Sequence, residues 1–453
     1  MKTIAIAGAS GFVGRKVIQE ILNRSDDKII ALSRSDREST QRVSWKKCDL
    51  FSRKEIEASI KGADVIIYLV HSMEPSARLD QARFDDYDLF LADNFGRIAE
   101  KLGIKKFIYL GGIIPSGIEL STHLESRLEV EHALKEYIPN FVCLRAGLVL
   151  GSGGSSYNML INLVKRLPVL ICPKWSLNET SPVHVSQVVE SIIFALNSNS
   201  VDKSVINLTS KDKVSYFDLL KKTAGFLNKK RKFFKINVPI LTISRFWVSL
   251  FSGASRRLVY PLLESLRHPM LVSERNKGLD VKIYTVDEAL KKTVEESEDI
   301  PYKFKHETNH ESFVRSVQRA RLPGALTAKD AAHEYMVWLP RFLFPFIIVV
   351  VDGPWITFSV IVPHLKILIL KRREESTSDL QSFRIKGGLL ALKHDKGRLE
   401  FREVLDGKYL LMSIHDFYPS LPWYIYRYSQ ALMHLFVMNA FKNYLARLGA
   451  KHD

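Results

Sequence analysis

The stretch "TIAIAGASGFVG", residues 3–14, decides the fold. A short apolar run, typical of a buried strand, leads into three glycines spaced three residues apart, and a helical pattern follows. Glycine permits a tight turn and close approach of the backbone to a pyrophosphate, while a helix N-terminus offers N–H groups to the anion. In this strand–turn–helix context the pattern predicts a dinucleotide site. The expected cofactor contacts are Gly8, Ser10, Gly11, Phe12, Val13 and Gly14.

Apolar runs alternate with helical stretches from this turn to about residue 207. Candidate strands cover residues 3–8, 28–33, 43–49, 64–70, 106–112 and 140–147. Continuous apolar strands separated by helices are typical of a parallel sheet that is covered on both faces. The sequence therefore predicts an α/β fold with a Rossmann-like, doubly wound parallel sheet.

The residues after the second strand indicate which dinucleotide is bound. An NAD site commonly has an Asp or Glu there, which accepts a hydrogen bond from the ribose 2′-OH. Here "LSRSDR" (32–37) places Ser33, Arg34 and Ser35 at the strand end. Because a guanidinium suits a 2′-phosphate, NADP is favoured over NAD. The alternative is a solvated charged loop.

Composition limits the partners and the compartment. A chain of 453 residues is too long for one ordinary core, and its net charge of +17 favours anionic partners. Nucleic acid rests on charge alone, since the basic run 229–232 is explained more simply as the end of a helix. Cys48, Cys143 and Cys172 suggest neither a disulfide framework nor a metal site. We expect a reducing, cytoplasmic setting, with peripheral membrane contact as a further option.

Several motifs together resemble the extended or atypical short-chain dehydrogenase/reductases. They are the glycine turn, "CDL" after the third strand, Asn94 in "ADNFGRIAEKLGIKKFIYLGG", and "LRAGLVLG" followed by "SPVHVSQVVESI". The phrase "YLVHSM" (68–73) is similar to NAD(P)H-binding proteins of the NmrA and complex-I-subunit type that carry a DUF2867-type C-terminal region. The resemblance implies that Asp49 and Leu50 border the adenine. It also implies that Asn94 belongs to the cofactor site and that residues 69–73, with Leu69 and Val70, pass beside the ribose.

The catalytic helix departs from that family. Typical members place a Ser after the fifth strand and Tyr-x-x-x-Lys on the next helix, where Tyr protonates the carbonyl as hydride arrives. In this chain the strand ends in Gly111-Gly112, and none of the sixteen tyrosines has a Lys four residues later. The stretch "STHLESRLEVEH" (121–132) holds His123 and Arg127 in those places.

A substituted proton donor would keep catalysis possible. His123 and Arg127 share a helix face, and histidine can donate a proton near neutral pH, whereas arginine can only hold a ribose or phosphate. His71, after the fourth strand, is a second candidate donor for the same crevice. The alternative is an exposed helix in which Arg127 pairs with Glu131 or Glu125.

The substrate side is expected to follow the sixth strand. In the loop "GSGGSSYN" (151–158), Ser155, Ser156 and Tyr157 would bind a substrate or form a flexible turn. The apolar helices of residues 256–272 would build a lid over it.

Three regions are expected along the chain. They are a dinucleotide-binding unit with its lid (1–297), a polar linker (298–330) and an α+β domain (331–453) that looks similar to a helix-grip fold. The most apolar stretch, 340–373, is split by "VDGPW" and predicts buried strands rather than a membrane helix. The last helix, 422–448, would pack on the sheet or line a pocket for a small hydrophobic ligand.

Two functions remain open from the sequence. One is an NADPH-dependent reductase of a hydrophobic carbonyl or quinone-like substrate with a non-standard proton donor. The other is a non-catalytic redox sensor or respiratory-complex assembly protein that binds NADP(H). The missing Ser, Tyr and Lys favour the second function, and the intact cofactor glycines keep the first in play.

Overall fold

The chain forms two compact units. The computed structural model describes residues 1–71, 77–236, 241–297, 311–324, 326–360, 365–392 and 395–450. The first unit comprises Met1–Glu74 and Leu91–His306, and the second comprises Pro75–Phe90 and Glu307–Asp453. A short segment of the N-terminal half therefore belongs to the second unit, so the units are not consecutive stretches of sequence.

Residues 3–295 form fourteen strands and ten α-helices, described in chain order. They are β1 (Thr3–Ala7), α1 (Phe12–Arg24), β2 (Lys28–Ser33), β3 (Val43–Lys47), α2 (Arg53–Ile60), β4 (Val65–Tyr68), β5 (Ala77–Gln81), α3 (Phe84–Lys101), β6 (Lys106–Gly112), α4 (Thr122–Tyr137), β7 (Phe141–Ala146), β8 (Val149–Leu150), α5 (Ser155–Arg166), β9 (Val169–Pro173), a 3-10 helix (Lys174–Leu177), β10 (Glu179–Thr180), β11 (Val183–His184), α6 (Val185–Asn197), β12 (Val205–Leu208), β13 (Val214–Ser215), α7 (Tyr216–Phe226), β14 (Lys232–Ile236), α8 (Leu241–Ser252), α9 (Arg256–Ser265) and α10 (Val286–Glu295).

The first unit contains the predicted parallel sheet. Its seven strands lie in the order β12-β7-β6-β4-β1-β2-β3, and each neighbouring pair is parallel. The six predicted strands correspond to β1, β2, β3, β4, β6 and β7, whereas β12 was not assigned from sequence. The Rossmann-like, doubly wound prediction is confirmed for this unit.

Apolar helices cover both faces of this sheet. Val17 of α1 and Ile192 of α6 are buried on one face. Ile56 of α2, Phe95 of α3 and Leu134 of α4 are buried on the other. This two-sided burial explains why the strands read as continuous apolar runs rather than alternating ones.

A lid subregion follows the parallel sheet. Helices α5, α7, α8, α9 and α10, with short two-stranded ladders, surround their own core. Leu160, Leu219, Val259 and Leu290 belong to that core. The helix predicted within residues 256–272 is α9.

The described residues of the second unit form a sheet of eight strands, three helices after β15 and the start of α3. Its elements after β5 are β15 (Glu311–Arg321), α11 (Ala328–Phe342), β16 (Ile347–Asp352), β17 (Trp355–Val360), β18 (Lys366–Arg372), β19 (Leu380–Gly387), β20 (Arg398–Val404), β21 (Tyr409–Phe417), α12 (Trp423–Tyr428) and α13 (Gln430–Gly449). The strand order is β16-β17-β18-β19-β20-β21-β15-β5. Only the β15–β5 pair is parallel among these described strands.

The linker predicted over residues 298–330 differs from the structure. Residues 311–321 form β15, which pairs with both β21 and β5. The strand is polar, but its charges are compensated: the Arg319 Nε donates to Asp86 at 2.7 Å, and an Arg315 nitrogen lies 3.2 Å from the Asp416 carboxylate. The polar sequence of this segment was therefore a sign of paired charges on a strand and not of a linker. Residues 298–310 and 325 lie outside the described residues.

The apolar stretch 340–373 forms strands, as predicted, but they are not all buried: Ile348, Val350 and Val351 of β16 are 46–59% exposed. It contains β16, β17 and β18, while residues 361–364 lie outside the described residues. Among the described residues, no helix is long and apolar enough to cross a membrane.

The predicted final helix is two helices, α12 and α13, which meet at Ser429. Phe441 and Met438 of α13 pack in a core with Tyr335 and Trp338 of α11. The Phe441 ring centroid lies 5.0 Å from that of Tyr335 and 5.1 Å from that of Trp338. The second unit is therefore an α+β unit in which part of α13 packs on helix and sheet, whereas Tyr424, Tyr428, Met433 and Phe436 of the last two helices are exposed.

Candidate dinucleotide and substrate site

The turn between β1 and α1 has no room for side chains at two of its three glycines. Gly8 has a φ of +85°, and a Cβ there would lie 2.9 Å from the Leu69 carbonyl oxygen. A Cβ on Gly14 would lie 2.8 Å from the Ala9 Cα. The Gly11 N–H donates to the Gly8 carbonyl at 3.0 Å and closes the turn, and a Cβ on Gly11 would lie 3.1 Å from the same carbonyl oxygen. The backbone itself therefore requires glycine at positions 8 and 14.

The first turn of α1 suits an anion. Its N-cap is Gly11, whose position receives no side-chain hydrogen bond, and the first turn contains no acidic residue. Ser10, Phe12 and Val13 are half-buried at this helix start. The N–H groups of the first turn and the helix dipole favour a pyrophosphate here.

Two arginines follow β2. Arg34 is exposed, and the Arg37 Nε donates to the Ser33 hydroxyl at 3.3 Å while its guanidinium lies 5.1 Å from the Trp45 ring centroid. The nearby carboxylate, Asp36, lies 3.8 Å from the Lys47 ammonium. The strand end therefore presents cations and hydroxyls, and its acid is associated with a lysine.

Hydrogen bonds connect Asn94 and Asp49 to the loop after β3, where the adenine is expected. Asn94 is fully buried, and its side-chain amide donates to the carbonyl oxygens of Leu50 at 2.9 Å and Phe51 at 3.1 Å. The Asp49 carboxylate accepts from the Phe51 N–H at 3.1 Å. Asn94 thus supports the loop after β3 through backbone contacts.

The end of β4 lies beside the glycine turn. The Leu69 N–H donates to the Ala7 carbonyl at 2.9 Å, and Leu69 and Val70 are half-buried. Of the predicted ribose segment 69–73, residues 72 and 73 lie outside the described residues. His71 is exposed at the end of this strand.

A hydrogen-bonded group of side chains surrounds His123. Its Nδ1 lies 3.2 Å from the Ser265 hydroxyl of α9, which also lies 2.8 Å from the Ser121 hydroxyl and donates to the Pro261 carbonyl at 3.1 Å. The ring centroids of His71 and His123 are 5.5 Å apart. The two predicted donors are therefore neighbours, and Ser265 is a partner that sequence reasoning missed.

Arg127 occupies a different position. It is buried, its backbone carbonyl accepts from the Tyr109 hydroxyl at 3.4 Å, and its Cγ would lie 3.1 Å from a Cβ on Gly112. Gly112 therefore leaves room for the aliphatic part of the Arg127 side chain. It stands at the end of β6, where a typical short-chain dehydrogenase/reductase has its catalytic Ser. Glu131, its suggested partner, accepts two 2.8 Å hydrogen bonds from Arg145.

An apolar cavity of about 170 Å³ adjoins His123. Its wall is formed mainly by aliphatic side chains of α5, α7 and α9, such as Leu160, Leu220 and Leu263. The lining residues whose side chains contain polar atoms are Ser156, Ser265, Trp175, Tyr216 and His123. A site of this composition binds a small apolar molecule that presents one polar group.

The loop of residues 151–158 contributes only partly as predicted. Ser156 lines the cavity, but Tyr157 is buried and its hydroxyl accepts from the Ser297 hydroxyl at 3.3 Å. Ser155 is exposed at the start of α5. Gly154 packs against the ring of Phe12, since a Cβ on Gly154 would lie 2.9 Å from it. The loop therefore contacts α1 through Gly154 and lines the cavity through Ser156.

Comparison with known proteins supports the prediction of a dinucleotide-binding region in the first half of the chain. Residues 8–139 match the family described as NAD(P)H-binding. The chain is 31% identical over 112 residues to the auxiliary protein GraX of Staphylococcus aureus, which covers 24% of this chain and 36% of that protein. It is 28% identical over 161 residues to an NmrA-like family domain-containing protein of Dictyostelium discoideum, covering 31% of this chain and 50% of that one. The chain thus spans half or less of the length of these two curated relatives.

A solved structure shares the fold. A nucleoside-diphosphate-sugar epimerase from Staphylococcus aureus aligns with a TM-score of 0.50 at 12% identity, over 64% of this chain and 100% of that chain. The match is to the fold alone, because identity is so low. The chain therefore carries an NAD(P)H-binding domain, in a unit with the Rossmann-like fold of that epimerase.

Proposed function

We propose that the first unit is an NADP(H)-dependent reductase of a small apolar carbonyl or quinone-like compound, with His123 as the proton donor. The observation that carries this proposal is the position of His123, which lines the apolar cavity and is held by Ser265. When bound, the reduced dinucleotide supplies the hydride that adds to the carbonyl carbon.

The hydrogen bonds around Ser265 set the role of each imidazole nitrogen. We assign the Ser265 hydroxyl proton to the Pro261 carbonyl, which leaves the hydroxyl oxygen to accept from the His123 Nδ1–H. The imidazolium then carries its transferable proton on Nε2, and the substrate oxygen accepts it. The neutral ring that remains keeps Nδ1–H and is reprotonated at Nε2 from solvent.

The cavity wall determines the class of substrate. Aliphatic side chains such as Leu160, Leu220 and Leu263 exclude water and reject charged molecules. Ser156 and His123 both line the cavity, and they would orient one oxygen of the substrate. These features favour a compact aldehyde, ketone or quinone over a sugar nucleotide.

NADP over NAD is part of the proposal. The support is the pair Arg34 and Arg37 after β2, with Asp36 associated with Lys47. A guanidinium pairs with a 2′-phosphate, whereas the ribose 2′-OH of NAD needs an acceptor. Arg34→Ala should weaken NADPH binding without weakening NADH binding. Equal affinities of the variant and the wild type for NADPH would contradict this assignment.

Turnover with a panel of apolar aldehydes, ketones and quinones tests the reductase. His123→Ala should lower turnover on the order of 10²- to 10⁴-fold while NADPH binding is retained, because a general acid contributes that much. His132→Ala is the matched control, since His132 is exposed on the same helix. Equal turnover by both variants would remove His123 from the mechanism.

A non-catalytic NADP(H) sensor, or an assembly protein, is the second candidate. It is supported by Gly111 and Gly112, which end β6 where a catalytic Ser would stand, and by the absence of any Tyr-x-x-x-Lys from the sequence. Such a protein binds NADPH and oxidises none of it with any member of the panel. That result separates the two functions.

The second unit is proposed to be a DUF2867-type, helix-grip-like domain. The support is a meander of antiparallel strands from β16 to β21 that is followed by the long helix α13. A small hydrophobic ligand of this unit stays a prediction, because Met438 and Phe441 pack against protein side chains.

A further inference from the structure

The two-stranded ribbon of β9 and β14 has an exposed apolar side. The strands are parallel, with Val169 opposite Lys232 and Ile171 opposite Phe234. Since alternate residues of a strand point to opposite sides, one side carries Val169, Ile171, Phe234 and Ile236. These four side chains, which we call the ribbon face, are 39–54% exposed.

The other side of the ribbon is anchored. Leu170 and Cys172 are buried in the core of the lid, and Phe233 packs against that core. The Phe233 and Phe217 ring centroids are 5.9 Å apart. The ribbon is therefore fixed to the lid by one side while the ribbon face points to solvent.

Positive charge surrounds the ribbon face. Residues 165–178 and 227–236 contain eight Lys or Arg and no Asp or Glu. Six of these cations are exposed: Arg166, Lys174, Lys229, Lys230, Lys232 and Lys235. The Lys235 ammonium lies 4.3 Å from the Phe217 ring centroid, on the anchored side of the ribbon. An apolar surface with positively charged residues around it suits a partner that offers both an apolar region and negative charge.

We propose that the ribbon face docks on an anionic lipid bilayer. The apolar side chains would enter the boundary between headgroups and acyl chains, and the surrounding lysines would meet lipid phosphates. A single-stranded nucleic acid fits less well, because three of the four ribbon-face side chains are aliphatic and Phe234 is the one aromatic ring among them on which a base could stack.

The ribbon is continuous with the apolar cavity. The 3-10 helix Lys174–Leu177 directly follows β9; its Trp175 lines the cavity and its Leu177 is exposed. Because the docked ribbon leads to the cavity, we infer that the apolar substrate comes from the bilayer itself. That extension rests on the reductase proposal, whereas docking does not.

Sedimentation of the full chain with vesicles tests docking. The protein should bind phosphatidylcholine vesicles that contain phosphatidylglycerol, bind little to phosphatidylcholine alone, and dissociate as salt rises. The triple variant Lys229→Glu, Lys230→Glu and Lys232→Glu should lower the partition coefficient on the order of a hundredfold or more. The matched control is Lys54→Glu, Lys61→Glu and Lys105→Glu, which changes net charge equally at exposed positions and should retain binding.

A second variant separates insertion from attraction. Ile171→Ser with Phe234→Ser keeps every cation, so it should lose on the order of tenfold in partitioning per side chain through lost apolar burial. NADPH binding by the same proteins shows that each variant is folded.

Three results would overturn the docking proposal. They are no sedimentation with anionic vesicles, equal loss in the triple variant and its control, or tighter binding to single-stranded DNA than to vesicles at the same salt. Vesicle binding without turnover of any apolar carbonyl would leave docking intact and contradict only the reductase.

Discussion

The chain contains both glycines that have no room for a side chain and glycines that stand open, and Gly14 and Gly225 are one of each. At Gly14 a Cβ would lie 2.8 Å from the Ala9 Cα, whereas at Gly225 of α7 nothing lies within 4 Å. The contrast is set by how closely α1 packs on β1. The same closeness lets the backbone approach a pyrophosphate.

Gly14→Ala should therefore abolish measurable NADPH binding and destabilise the protein, because the backbone must shift to admit the methyl group. Gly225→Ala should bind NADPH normally and gain up to about 1 kcal/mol, as alanine favours a helix. Calorimetric titration and thermal unfolding measure both effects. Normal NADPH affinity in Gly14→Ala would place the dinucleotide elsewhere.

His184 is a buried titratable side chain of the first unit. Its Nδ1 accepts from the Ser186 N–H at 3.1 Å and so caps α6. Burial, followed by the charges of Lys292 and Lys16, lowers the pKa of His184 to about 4. Since the unfolded chain binds the proton more tightly, this group's contribution to stability is present above pH 6.5 and falls as pH drops towards 4.

His184→Asn should flatten that acid loss, because asparagine also caps a helix but does not titrate. The wild type should lose about 3 kcal/mol of unfolding free energy through this group between pH 6.5 and 4, from a shift of roughly 2.5 pKa units. Urea unfolding at several pH values measures it. Parallel pH profiles for variant and wild type would show that His184 is not the titrating group.

At the scale of elements, the cavity is built where α5, α7 and α9 of the lid converge. Leu160, Leu220 and Leu263 come from these three helices, and His123 enters from α4. Of these helices, the sequence predicted α9, and it predicted His123 separately. It did not predict Ser265 as a partner, because the two residues are 142 positions apart and no local pattern joins them.

Filling the cavity should separate substrate binding from cofactor binding. Leu220→Trp places an indole in the cavity, so an apolar fluorescent probe and the substrate should no longer bind, while NADPH affinity is unchanged. Leu250→Trp is the control, since Leu250 is 60% exposed on α8. Retained probe binding in Leu220→Trp would show that the cavity is not the apolar site.

At the scale of the whole molecule, much of the first unit was predictable because its buried parallel strands are continuous apolar runs. The second unit was harder. Its strands β5 and β15 are polar, and the charges of Arg315 and Arg319 are compensated by Asp416 and Asp86 from other segments. Hydropathy cannot reveal such pairs, so a strand was taken for a linker.

A fragment of residues 1–297 should consequently be less stable than its length suggests. It keeps β5 but lacks β15, so Leu79 and Gln81 lose their paired strand and Asp86 loses Arg319. We expect a lower Tm than that of the full chain by differential scanning calorimetry. A fragment that melts at the temperature of the full chain would contradict this.

The central claim is that this chain transfers hydride from NADPH to an apolar carbonyl with His123 as the acid. Incubation with NADPH deuterated at the transferable position, followed by mass spectrometry of the alcohol, tests it most directly. We expect one deuterium on the carbinol carbon with the wild type and no alcohol with His123→Ala. Bound NADPH with no labelled alcohol from any apolar carbonyl would contradict it.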